Sequence, residues 1–180
     1  MNSGMIRSLG KIVGMLLVVI ALTGVTLAGA SSVWAQQKAA DVREQILGSW
    51  TLASAVVEQG GTKRELFGPN PKGVLFYDRN GHFSLMSMRP DLPKIASNNR
   101  ESPTPEEASA VARGLLAFYG TYTIDAEGNV IQHIEASSFA NWNGADQKRL
   151  ITISGDEMRW INPAPAVGGG MTTLLYKRAR

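Results

Sequence analysis

The chain reads as an all-β domain: about eight short antiparallel strands running up and down into a barrel, interrupted by one helix. Three observations predict this. Short segments with apolar residues in alternation recur from Ser49 to Arg178, divided by turns rich in Gly, Asn, Asp and Pro, and such even spacing marks a sheet that closes to hide its edges. Asp78-Arg79-Asn80-Gly81 stands between two apolar runs, and Asn-Gly in that setting is the strongest local hairpin signal. Gly48-Ser49-Trp50 opens the first long strand, and Arg178 comes late in the last one. A glycine there lets the chain bend, and an indole can stack under a cationic side chain.

Ahead of the barrel, Met1 to Ala35 has the layout of a secretory leader. Arg7 and Lys11 are its basic start, Ile12 to Leu27 its apolar run, and Val33-Trp34-Ala35 its small-residue end, with cleavage expected between Ala35 and Gln36. A retained anchor is the alternative, but Gly14, Thr23, Gly24 and Thr26 weaken the run below the ~20 apolar residues that span a bilayer. No cysteine follows it for lipid attachment. The expected organisation is therefore leader 1–35, tail 36–46 and barrel domain 47–180, located in the periplasm or secreted, with no stable membrane span after cleavage. All fifteen acidic residues and sixteen of the eighteen basic ones fall after Ala35, which leaves a formal charge of only +1. With mixed charges and no basic stripe, nucleic acid is not an expected partner. Without cysteine, the domain must hold together by packing alone.

Along the chain, Gln36 to Gln45 reads as a tail or short helix. Ser49 to Glu58 is the first strand, broken by Gly60-Gly61, and Lys63 to Phe67 can pair back before the turn at Gly68-Pro69-Asn70-Pro71. Gly73 to Tyr77 and His82 to Met88 form the hairpin already noted. Arg89 to Pro103 is a long irregular loop. Thr104-Pro105-Glu106-Glu107 then starts a helix, with Thr104 as cap, Pro105 at the first helical position and Glu107 closing a capping box. Ala108, Val111, Ala112, Leu115 and Leu116 continue it at helical spacing to about Phe118. Strands resume at Gly120 to Ile124, Val130 to Glu135, Gln147 to Ile153, Met158 to Ile161 and Met171 to Arg178.

Gly48-Ser49-Trp50 with the late arginine resembles the lipocalin pattern, which implies that the indole plugs the closed end of a barrel and stacks with the cation brought back by the final strand, so that the two ends of the domain are neighbours. Further residues narrow the likeness: Phe67-Gly68-Pro69, Gly73-Val74-Leu75-Phe76-Tyr77, Met88-Arg89-Pro90-Asp91, Gly120-Thr121-Tyr122, His133, Asn141-Trp142-Asn143-Gly144 and Gln147-Lys148-Arg149. In their order and spacing, from Leu47 to Arg178, the chain resembles the bacterial and fungal lipocalin-like domain family. The resemblance implies a barrel with a small-molecule pocket and does not imply one defined ligand.

Alternation places His133 with Ile131 and Glu135 on one face of its strand, and Gln147, Arg149 and Ile151 on one face of the next. If these faces coincide inside, His133, Glu135 and Arg149 meet, with Tyr122 beside them, and offer donors to an acidic or carbonyl-bearing ligand. If they point outward, they are solvated charges. The residues expected to contact a small, mostly apolar ligand are Tyr77, Arg89, Tyr122, His133, Trp142 and Arg149. His133 is also the candidate general acid or base of an isomerase- or cyclase-like reaction, set against a plain polar-network histidine. A ligand-free structural envelope protein is a third reading. Two histidines fifty residues apart and no cysteines argue against a zinc site. Gly168-Gly169-Gly170 precedes a strand and not a helix, so it is a loop and no phosphate cradle. No Gly-x-Ser-x-Gly elbow is present, and neither a metal nor a cofactor is expected. Met86, Met88, Phe76, Phe83 and Trp160 are expected as core, some of them lining the cavity. The loop from Arg89 and its helix either lid one barrel end or pack on the wall. Oligomeric state is not legible.

Overall fold

A computed structural model describes residues 32–180. The leader expected at 1–35 therefore lies outside the described residues except for its last four positions. The described chain begins with helix α1, residues 32–46. The strands that follow are β1 (Gly48–Gln59), β2 (Thr62–Glu65), β3 (Lys72–Tyr77) and β4 (His82–Met88). Helix α2 (Pro105–Gly114) comes next, and then β5 (Leu115–Ile124), β6 (Val130–Ser137), β7 (Asp146–Ser154), β8 (Glu157–Asn162) and β9 (Met171–Arg178). The sheet order is β2-β1-β3-β4-β5-β6-β7-β8-β9, all antiparallel, and β1 also pairs with β9. Eight strands thus close into a barrel, and β2 is an extra strand on the far half of β1. No helix among the described residues is long and apolar enough to cross a membrane.

Alternation sorts each strand into an inner and an outer row. The inner row carries Leu75 and Tyr77 on β3, Phe83 and Leu85 on β4, Phe118 and Tyr122 on β5, Val130 and Ile134 on β6, and Met158 and Trp160 on β8, all buried. On β1 the register slips between Leu52 and Ser54. This bulge lets Trp50 and Leu52, then Ala55 and Val57, all face inward although their parity changes. A second irregularity falls between Tyr119 and Gly120, where a Cβ would collide with the His133 carbonyl, so only glycine allows β5 and β6 to approach there.

The expected closed end is present. Trp50 is fully buried and its indole N–H donates to Ile46 O at 2.8 Å. The Arg178 guanidinium lies 4.2 Å from the centre of the Trp50 ring and donates to Leu47 O at 3.0 Å and Gln45 O at 2.9 Å. Helix α1 covers this end. Its Ile46 and Val42 join the core, Glu44 takes a two-pronged contact from Arg79 in the β3–β4 turn, and Arg43 lies 6.0 Å from the Tyr122 ring centre. Residues 36–46 are thus helical, the second of the two forms expected for them.

The helix after the long loop is shorter than its spacing predicts. The capping box forms as expected: Glu107 N donates to Thr104 Oγ1 and Thr104 N to Glu107 Oε2. However, α2 stops at Gly114, and Leu115 to Phe118 belong to β5, pairing with β4 from Met88↔Leu115 to Leu85↔Phe118. Leu115, Leu116 and Phe118 suit both a 3.6 and a 2.0 period, and the edge of β4 decides for strand. Arg89 N donates to Gly114 O, so the loop's entry and the helix's exit are fastened together.

Candidate functional site

The end of the barrel opposite Trp50 is where the β1–β2 hairpin, the loop after β4, α2, and the segments 138–145 and 163–170 gather. A cavity of about 930 Å³ lies there. Its walls come from inside the barrel, with Leu85, Ser87, Phe118, Trp160, Asn162, Thr172 and Leu174 contributing, and from Trp142 and Phe139 beside it. Its roof is Ile95, Pro103, Ala108, Val111 and Ala112. The loop and α2 therefore lid the barrel, the first of the two placements expected for them. Trp142 stands edge-on between Phe118 and Phe139, with ring centres 5.4 and 5.8 Å away, so an aromatic wall faces the apolar underside of α2.

The apolar inner rows give way to polar side chains within the barrel. Ser87, Gln132, Arg149, Asn162 and Thr172 are buried. Arg149, 1% exposed, donates through Nη1 to Asn162 Oδ1 at 3.2 Å and to Lys148 O at 2.9 Å, and through Nη2 to Gln147 Oε1. Its guanidinium lies 4.7 Å from the ring centre of Trp160 and 6.0 Å from that of Trp142. Arg149 does not itself line the cavity, but Asn162, Trp160 and Trp142 do. No carboxylate among the described residues forms an ion pair with it. Burial pushes its pKa down to about 10, against the nearby Tyr77 and Tyr176 hydroxyls, so the guanidinium is still a cation at neutral pH.

Beside it, Gln132 Nε2 donates to Tyr77 OH at 3.1 Å. Burial drives the Tyr77 and Tyr176 hydroxyls well above the ordinary phenol range, which makes them neutral donors. The Trp160 N–H lies against Tyr77, and Ser87 against Tyr176, close enough to act on those hydroxyls without meeting hydrogen-bond geometry. Gln132 Oε1, Arg149 Nε and Thr172 Oγ1 are buried with no hydrogen-bond partner among the described residues. Buried polar atoms are ordinarily paired with protein or water, so these three set the barrel's polar interior apart from its apolar rows.

The six residues expected at the site separate. Trp142 lines the cavity and Arg149 sits directly behind its wall. Tyr77 is in the polar cluster. Tyr122 is buried nearer the closed end, edge-on to Tyr77 at 5.0 Å, and its hydroxyl donates to Asp78 O at 2.8 Å. Arg89 grips Asp91 with two bonds at 2.9 and 2.8 Å beside Gly68 and Gly114, at the base of the lid and not in the cavity.

His133 is outside. The register pairs Val130 with Arg149 and His133 with Asp146, so Val130, Gln132 and Ile134 share the inner face with Arg149, and His133 and Glu135 share the outer one. The expected meeting of His133, Glu135 and Arg149 is thus corrected, because the two strands pair one residue out of the assumed phase. His133 instead contacts Asp146 Oδ1 through Nδ1 at 2.6 Å and Thr123 Oγ1 through Nε2 at 3.4 Å on the half-exposed barrel surface. His82 likewise stays at its turn with Asp78, 3.2 Å away. The residues that composition and motif did not single out are Ser87, Gln132, Asn162, Thr172 and Tyr176.

The family model of the lipocalin-like domain matches residues 47–174, nearly the whole barrel. The chain is also 32% identical over 95 residues to the 4'-hydroxy-3'-methoxypropiophenone carrier protein ppsC of Aspergillus oryzae, a match that covers 49% of this chain and 86% of that protein. The chain belongs to the lipocalin-like domain family.

Proposed function

We propose that this member of the lipocalin-like domain family is an exported carrier that holds a small, mostly apolar molecule under the lid of its barrel. The observation that carries the reading is the cavity itself: about 930 Å³, within the size of small-molecule sites, apolar along its walls and ending on a few buried polar groups. The fungal relative's name adds a chemistry. It carries an aromatic ketone with hydroxyl and methoxy substituents, a flat apolar body with oxygens at its rim. Such a shape suits a slot between Trp142, Phe118 and α2, with Asn162 and the Arg149 cluster toward its polar edge. Export is supported by the leader pattern of Arg7, Lys11, the run from Ile12 to Leu27, and Val33-Trp34-Ala35.

The test is native mass spectrometry of the protein purified from its own compartment, followed by denaturation and analysis of what it releases. One small molecule per chain is the expected result, and it defines the ligand's chemical class. An empty protein that also refuses neutral apolar fluorophores overturns the reading in favour of a barrel with a structural role. Turnover through His133 draws no support from the geometry, since the imidazole lies across the barrel wall from the cavity.

A further inference from the structure

We infer that the cavity selects an organic anion, an apolar body bearing one ionised oxygen, phenolate or carboxylate, whose charge lies at the polar edge formed by Asn162, with Arg149 behind that wall as the facing cation. The inference rests on the carrier reading and specifies what is carried.

Two independent features point to it. The first is Arg149. A guanidinium removed from water is costly unless an opposite charge faces it, yet the three partners it has, Asn162, Gln147 and the Lys148 carbonyl, are all neutral. Stacking on Trp160 offsets part of that penalty and supplies no counter-charge. Its Nε–H is unused. The neighbouring tyrosines cannot serve as the anion, because burial keeps their hydroxyls protonated. The second feature is the composition of the cavity wall. Arg64, Arg100 and Arg113 line it, and no aspartate or glutamate does among the described residues. Arg100 leans on Glu101 at 3.7 Å, but both side chains are largely in solvent and such a pair is weak. The charged side chains that line the cavity are therefore all cationic among the described residues, an arrangement that favours anions over cations. Neutral apolar ligands need neither feature. An aromatic acid, or a phenol made acidic by a conjugated carbonyl, uses both: its body takes the aromatic wall and its oxygen lies at Asn162, within the field of the guanidinium directly behind it.

The test compares naphthalene-2-carboxylate with its methyl ester by calorimetric titration of the full-length protein, and uses the neutral fluorophore N-phenyl-1-naphthylamine to report whether the cavity takes ligand at all. The wild type is expected to bind the carboxylate at least ~10-fold more tightly than the ester, the worth of an opposite charge a few ångströms away in a partly desolvated site. Arg149→Gln is expected to abolish the preference while the fluorophore still binds. Because a change at a buried position can disturb folding, Asn162→Asp is the second variant. It leaves Arg149 in place and sets a carboxylate at its Nη1, where Asn162 Oδ1 now lies at 3.2 Å, and it is expected to cancel the preference as well. Equal binding of acid and ester by the wild type, or a preference that survives both variants, overturns the anion inference and leaves the carrier reading standing if the fluorophore binds. Failure of the fluorophore and both naphthalenes to bind the wild type overturns the carrier reading, and the anion inference with it.

Discussion

His133 and Arg149 show how one residue of phase decides a side chain's chemistry. With Val130 opposite Arg149 and His133 opposite Asp146, the guanidinium is inside the wall and the imidazole outside it. His133→Ala is therefore expected to leave the affinity for an apolar fluorophore within about twofold of wild type, as surface substitutions remote from a site generally do. Its cost in stability is expected to stay below ~1 kcal/mol, the range of exposed ion pairs. Loss of fluorophore binding in a folded His133→Ala protein would place the ligand elsewhere. Arg149 and Trp142 were legible in the sequence as candidate contacts, but the side of the barrel on which His133 falls was not. That side depends on the β6–β7 register, which is set by residues 138–145, where Ile134 N bonds Ala145 O and Gly144 N bonds Ile134 O in a connection without a simple turn signature. The missed polar residues did leave a trace. The inner rows of β4, β6 and β8 each contain a polar member among apolar ones: Ser87 after Phe83 and Leu85, Gln132 between Val130 and Ile134, Asn162 after Met158 and Trp160. Polar residues in phase with a buried row are the readable sign of a lined interior.

The element that roofs the cavity is α2 with the loop before it. Glu107 bonds Thr104 N at 2.8 Å and Ala96 N at 2.9 Å, so a single carboxylate fastens the helix start to the loop. Those backbone N–H groups hold its pKa below the usual carboxylate range. Such ties are complete above the unfolded pKa of about 4.3 and fade as pH falls through the lowered folded value, so the lid loosens only in acid. Thr104→Ala removes the cap and is expected to cost the helix about 1 kcal/mol. Because α2 is a roof and contributes only Gly114 to the fully buried set, that cost should appear as faster amide exchange over 105–114 and ligand dissociation quickened by about fivefold, with little change in the melting temperature. Unaltered dissociation would show that the ligand leaves by another route. The helix start was legible because Thr104-Pro105-Glu106-Glu107 encodes its own cap. Its end was not, because Leu115, Leu116 and Phe118 satisfy two periods and only the presence of β4 chooses between them.

At the scale of the molecule, the barrel divides its tasks between its ends. The closed end is a latch: Trp50 is fully buried, Ile46 and Arg178 bind it from the two ends of the domain, and α1 covers the turns. β9 pairs with both β1 and β8, so this latch also secures the seam that turns a sheet into a barrel. The open end keeps its apolar walls apart under α2, which provides the cavity. Damage to the two ends should therefore be separable. Trp50→Ala removes a large buried ring and is expected to destabilise the fold by about 3–5 kcal/mol, as truncations of buried aromatics do. Since Trp50 lies away from the cavity, the fraction that stays folded at low temperature should bind the fluorophore with wild-type affinity. Trp160→Phe is the counterpart. It preserves most of the buried ring while removing an indole that lines the cavity and stacks on Arg149, so it should weaken ligand binding with much less effect on unfolding. Denaturant unfolding and fluorophore titration of the two variants in parallel decide the matter. If Trp50→Ala lost affinity in proportion to its stability, latch and cavity would be one cooperative unit and not two separate devices.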